Sequence, residues 1–208
     1  EDYIVLTQNP LYAQNPSWLD PGLRNDFIFR NKLKFLRKYQ LDAIHSLQAT
    51  VKVGGMRFLF EMATGTGKTL TTAAVIKLFL KTGNARRVLF LVDRIELEEQ
   101  ADTAFKDYLK NDYSSVIYKE NRDDWHKAEI VVTTVQSLLF DNKYRRIFSP
   151  TDFDLTISDE AHRSIGANSR AIFEYFTGYK LGLTATPKDY LKKIDKVDDH
   201  RDIERRML

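Results

Sequence analysis

The stretch Met62-Ala63-Thr64-Gly65-Thr66-Gly67-Lys68-Thr69 decides how the rest of the chain is read. It follows the apolar run Phe58-Leu59-Phe60 and precedes Leu70 to Leu80, whose spacing reads as helix. Strand, glycine-rich turn, Lys-Thr and helix form the layout of a phosphate-binding loop. Gly65 and Gly67 let the backbone curl so that successive N–H groups point at phosphate oxygens, which a β-carbon would obstruct. The helix beginning near Lys68 adds its positive end, and Lys68 brings a mobile cation. The Thr69 hydroxyl is suited to ligate Mg2+, and Thr64 and Thr66 complete the loop around the phosphates. One departure is plain: the general pattern has glycine five residues before Gly67, and this chain has Met62. The residues that touch phosphate are kept.

Around this loop the chain has 208 residues, enough for one domain with a full core. Hydrophobic residues at 43% and charged residues at 29% are ordinary for a globular protein, and a net charge of +3 permits nucleic acid without arguing for it. With no cysteine there is no disulfide framework, thiol nucleophile or cysteine-based zinc site. His45, His126, His162 and His200 lie far apart and lack metal-ligand spacing. No apolar run approaches the ~18 residues of a membrane span. The opening Glu1-Asp2-Tyr3 has no signal-peptide character, and its lack of Met suggests an excised or processed piece. A soluble cytoplasmic protein is expected.

Residues 1–30 read as an irregular arm, broken by Pro10, Pro16, Pro21 and Gly22. From Phe35 to about Val51 the period is helical. Apolar β-type runs follow at 57–61, 87–92, 115–118, 129–133, 154–158 and 180–184, with helical spacing at 68–81, 94–110, 134–141 and 168–176. Repeated β-α-β units with nearly all-apolar strands predict an α/β domain over 31–187, its parallel sheet flanked by helices on both faces. From Lys188 onward seven basic and six acidic residues crowd into 21 positions, reading as a charged helix or linker over 188–208.

A second anchor is Leu155-Thr156-Ile157-Ser158-Asp159-Glu160-Ala161-His162. An apolar strand ending in two carboxylates puts them at the carboxyl edge of the sheet, where α/β proteins place ligands. A phosphate loop needs an acid from a neighbouring strand to hold Mg2+, usually through water; Asp159 suits that task. Glu160 is suited to orient or deprotonate an attacking water. A third stretch, Leu181-Gly182-Leu183-Thr184-Ala185-Thr186-Pro187, ends another β-type run, with two hydroxyls within reach of the Asp159–His162 segment.

Taken in this order and spacing, Met62–Thr69, Asp159-Glu160-Ala161-His162 and Thr184-Ala185-Thr186-Pro187 resemble motifs I, II and III of superfamily 2 helicases and translocases. Val92-Asp93-Arg94 with Leu97 and Gln100, and the extension of Asp-Glu-Ala-His by Arg163-Ser164, narrow the resemblance to the motor of the R subunit of type I restriction enzymes. Type III restriction and excision-repair motors share much of it. The resemblance spans about residues 33–187 and implies a RecA-like first lobe that binds ATP with Mg2+. It assigns Lys68, Asp159 and Glu160 to hydrolysis, and His162, Arg163, Thr184 and Thr186 to coupling. Gln40, in Leu36-Arg37-Lys38-Tyr39-Gln40, is implied to read the adenine edge, since an amide both donates and accepts. A helix-surface glutamine is the plainer alternative. Arg94, Gln100, Thr133 and Thr134 are implied to lie along a duplex DNA backbone, contacting phosphates without reading sequence. The basic cluster Arg30, Lys32, Lys34, Arg37 and Lys38 reads as a solvated helix face.

In this superfamily ATP sits between two lobes, and the second supplies an arginine to the transferred phosphate. Only 21 residues follow Pro187, and no spaced Asp…Glu-x-Lys nuclease cluster precedes the motor. The resemblance therefore implies a second lobe and a nuclease domain in a longer parent chain, with specificity and methylation subunits as partners. The isolated 208 residues are expected to hydrolyse ATP slowly. A strand-separating helicase or repair motor is the alternative, and a nucleotide-dependent binding module without catalysis is a more distant one.

Overall fold

A computed structural model describes residues 5–6, 11–109, 112–120, 122–159 and 167–185. Its centre is a six-stranded parallel sheet. The strands are β3 (Arg57–Glu61), β4 (Val88–Val92), β5 (Ser115–Ile117), β6 (Ile130–Thr134), β7 (Leu155–Ser158) and β8 (Tyr179–Thr184). Their order across the sheet is β3-β8-β7-β4-β6-β5, so the connections cross over and both faces need covering. All six expected strands are present, within a residue or two of their predicted bounds.

Alternation along the strands divides the core in two. Phe60, Val88, Phe90, Val92, Ile130, Val132, Ile157, Leu181 and Leu183 meet α3 (Lys38–Lys52), α4 (Lys68–Lys81) and α5 (Ile95–Leu109). On the opposite face Leu89, Leu91 and Val131 meet α6 (Val135–Leu139), α7 (Lys143–Ile147) and α8 (Ala167–Tyr175). The period of two in each strand thus produces the expected helix layers. The second face is notably aromatic, with Phe148, Phe153 and Phe176 in edge-to-face contact.

Helix α4 is enclosed almost on all sides: every residue from Thr71 to Phe79 is buried. Two of its hydroxyls bond back along the helix, Thr71 Oγ1 to the Gly67 carbonyl at 3.0 Å and Thr72 Oγ1 to the Lys68 carbonyl at 2.9 Å. Lys77, also buried, pairs with Asp112 at 3.1 Å. These contacts fix the helix whose first turn carries Lys68 and Thr69.

The described residues within 1–30 differ from the irregular arm expected there. They contain α1 (Pro16–Leu19) and α2 (Arg24–Arg30), and β1 (Val5–Leu6) pairs antiparallel with β2 (Lys34–Phe35). Trp18 gathers Tyr12, Phe27 and Phe35 around its ring, and Arg24 lies over it at 5.2 Å. The prolines punctuate without forbidding helix: Pro16 opens α1, where its missing N–H costs nothing, and Asn15 Oδ1 accepts the Ser17 N–H. In the basic cluster Arg30 pairs with Asp26 and Lys38 with Asp42, both exposed one-turn pairs. Helix α7 also has no counterpart in the sequence reading. The charged tail at 188–208 lies outside the described residues.

Candidate nucleotide site and the carboxyl edge of the sheet

Strand β3 delivers the chain into the glycine-rich loop. Met62 N–H donates to the Thr184 carbonyl at 2.8 Å, continuing the β3–β8 ladder, and the Met62 side chain is buried in the first core. The departure from the general pattern therefore falls on a strand-end core position. Beyond it the backbone turns sharply. Thr66 N–H and Thr66 Oγ1 both donate to the Ala63 carbonyl, at 3.3 and 2.6 Å. Gly65 and Gly67 take φ of +79° and +84°, in the left-handed region that side chains disfavour.

Two residues at the start of α3 grip this loop. Tyr39 Oη donates to the Thr66 carbonyl at 2.6 Å. Gln40 Nε2 donates to the carbonyls of Thr66 and Gly67 at 3.2 and 3.3 Å, and its Oε1 accepts the Arg37 N–H at 2.8 Å. Gln40 is only 1% exposed. Its amide is thus engaged with the loop and the helix start, and it is not a helix-surface residue.

The loop residues have the character a phosphate cradle needs. Thr64, Gly65 and Thr69 are exposed, Thr66, Gly67 and Lys68 are half-buried, and a 14-residue helix begins at Lys68. Thr69 offers a hydroxyl and Asp159 a carboxylate, hard oxygen donors of the type Mg2+ takes. Among the described residues no group of three or more His, Cys, Asp and Glu could hold a metal by itself. Two protein oxygens completed by phosphate and water fit the way Mg2+ is usually held.

Asp159 reaches this edge through β7, and its N–H donates to the Leu91 carbonyl at 2.9 Å. Strand β8 lies between β3 and β7, with Thr184 opposite Glu61 and Gly182 opposite Ser158. The loop, Thr184 and Asp159 are thereby collected on one edge. Thr184 is buried. Glu160, His162, Arg163 and Thr186 lie outside the described residues.

Further along the same edge, Arg94 is exposed beside Asp93, and Gln100 is exposed on α5. Thr133 and Thr134, implied by the resemblance to lie along a nucleic-acid backbone, are both buried. Thr133 is fully buried, with no hydrogen-bond partner for its hydroxyl among the described residues, because β6 is covered along its whole length. Thr134 Oγ1 accepts the Ser137 N–H at 3.1 Å and so caps α6. The residues of this segment that reach the surface are Gln136 and, in part, Ser137.

Sequence reasoning missed Glu98. It is completely buried on α5; its Oε1 accepts the Thr134 N–H at 2.8 Å and its Oε2 pairs with Lys119 Nζ at 2.9 Å. The Glu98 carboxylate, an ion-pair partner at 2.9 Å, holds the Lys119 ammonium above its usual pKa. The signal was available: Glu98 shares the inward helical face with Ala101, Asp102, Phe105 and Leu109. A carboxylate at a core position calls for a partner.

Comparison with known proteins agrees with this geometry. Residues 33–189 match the family model described as "Type III restriction enzyme, res subunit". The chain is 31% identical over 205 residues to the type I restriction enzyme EcoKI endonuclease subunit of Escherichia coli K12, aligning 86% of this chain with 16% of that protein. It is 34% identical over 177 residues to the EcoAI endonuclease subunit of Escherichia coli, aligning 81% of this chain with 21% of the relative. The chain thus spans about a fifth or less of the length of these relatives. Among solved structures, the Sulfolobus solfataricus SWI2/SNF2 ATPase core in complex with dsDNA superposes with a TM-score of 0.65 at 20% identity, over 79% of this chain and 34% of that one. At that identity the likeness speaks for the fold.

Proposed function

This chain belongs to the type III restriction enzyme res-subunit family, and on that premise we propose that it is the nucleotide-binding first lobe of an ATP-driven DNA translocase, working within the R subunit of a type I restriction endonuclease. The observation that carries the reading is the parallel register that gathers the phosphate loop and Asp159 at one edge, a single strand apart. Homology to two type I endonuclease subunits supports the finer assignment.

In this reading the backbone N–H groups from Thr64 to Gly67, together with Lys68, bind the phosphates of ATP. Thr69 and Asp159 hold Mg2+, which when bound neutralises charge on the phosphate oxygens. Glu160 orients the attacking water and accepts its proton. His162, Arg163, Thr184 and Thr186 pass the state of the nucleotide to the rest of the motor. Arg94, Gln100 and the Thr133–Thr134 segment follow the backbone of duplex DNA, the last through groups neighbouring the buried threonines. A second lobe and a nuclease domain of the parent chain, with specificity and methylation subunits, complete the machine.

ATP hydrolysis by the full-length parent chain with its partner subunits tests this. It is measured without nucleic acid and with duplex DNA, single-stranded DNA or RNA. Strong stimulation by duplex without strand separation is expected. Stimulation by single strands or RNA would favour a helicase, and no stimulation by any would favour a nucleotide-dependent binding module.

A further inference from the structure

Glu98 is the one fully buried acid on α5, and a desolvated carboxylate persists only where its partners repay it. Its two oxygens serve different elements. Oε1 accepts the N–H of Thr134, the residue at which β6 ends and α6 is capped; Oε2 forms an ion pair at 2.9 Å with Lys119, in the turn just after β5. Without that oxygen the Thr134 N–H would be an unpaired donor in a closed interior. An apolar side chain there would pack as Ala101 and Phe105 do, one turn and two turns on, but would leave the junction unlinked.

The helix that carries Glu98 also displays Gln100 and follows directly on Arg94. The junction that Glu98 binds leads into Gln136 and Ser137. Two separate strips of the carboxyl edge are therefore connected beneath the surface by one side chain. We propose that Glu98 is a positioning residue that locks the β6–α6 junction to α5, so that both strips meet the nucleic-acid backbone in fixed register. The proposal rests on the reading of this edge as the DNA-facing one.

The test uses the full-length parent chain with its partner subunits, titrating duplex DNA and following ATP hydrolysis. Glu98→Ala should raise the half-saturating DNA concentration about tenfold, the worth of one lost hydrogen bond to a charged group. Hydrolysis without DNA should stay within about twofold of the parent. Glu98→Gln keeps an acceptor for Thr134 N–H and should recover most of the loss. Lys119→Met, which alters only the surface end of the linkage, should shift the same concentration in the same direction, and it decides the matter if the alanine variant does not fold. An unchanged half-saturating concentration in the variants overturns the proposal. So does a parallel fall of basal and stimulated rates that glutamine does not rescue, which is the mark of a purely structural role. A parent protein that DNA does not stimulate would instead overturn the reading of the edge, and the proposal with it.

Discussion

A β-carbon added to Gly67 would stand 2.7 Å from Nε2 of Gln40. Gly67 is thus required for two separate reasons, its left-handed φ of +84° and the Gln40 amide that crowds the place a β-carbon would take. Gly65 has the first requirement alone, since nothing lies within 4 Å of its would-be β-carbon. Gly65→Ala should cost about 1–2 kcal/mol, the penalty of a side chain in that region. Gly67→Ala should cost more, because Gln40 must also give up its bonds to Thr66 and Gly67. Chemical denaturation of the two variants measures the difference, and equal losses would mean that Gln40 yields freely.

Lys68→Ala should weaken binding of Mg-nucleotide by about 1.5–3 kcal/mol, the range for a hydrogen bond to a charged group. Titration calorimetry on the parent chain reads this directly. Equal affinity in the variant would remove Lys68 from the phosphate site.

Arg57, on the edge strand, holds Glu174 of α8 through two bonds of 2.8 and 2.7 Å. The hydrogen bonds to Arg57 keep the Glu174 carboxyl below its usual pKa, outweighing its partial burial. A depressed carboxyl pKa stabilises the fold above the unfolded-state value, and that contribution disappears as pH falls through the folded-state value. Both side chains are about a third exposed, so screening reduces the pair to about 0.5–1 kcal/mol. Glu174→Gln should therefore lower stability by about that amount at neutral pH and converge with the parent in acid, below the folded-state pKa of Glu174. A difference that persists in acid would point to packing instead.

Phe105 is fully buried and meets Phe90 edge-to-face at a centroid distance of 5.0 Å. Phe105→Ala should destabilise the domain by about 3–5 kcal/mol, the range for emptying an aromatic site in a tight core. Thermal unfolding reports the loss. A much smaller value would mean that α5 settles into the cavity.

The strands and the phosphate loop were legible because each rests on local chemistry. Val88 to Val92 must be covered on both faces, and Gly65-Thr66-Gly67-Lys68-Thr69 has few other uses. What escaped depends on contacts remote in sequence. Gln40 meets Thr66 and Gly67 across some 26 residues, and Glu98 meets Thr134 across 36. Neither partner can be read from its own neighbourhood. The fate of the two threonines turned on the burial of β6 along its whole length and on a cap whose acceptor is Thr134 itself. The arm misled because Pro10, Pro16 and Pro21 were weighed while Trp18, Phe27 and Phe35, which collect into a small core, were not.

Strand β3 has a hydrogen-bonded neighbour on one side only among the described residues, and Leu59 on it is 60% exposed. A bare strand margin with an apolar side chain is a template for adhesion to another polypeptide. Here the margin belongs to the strand that suspends the glycine-rich loop. Clumping of the isolated domain would therefore begin at its nucleotide cradle, so in storage its capacity for nucleotide should decline before its helical content does.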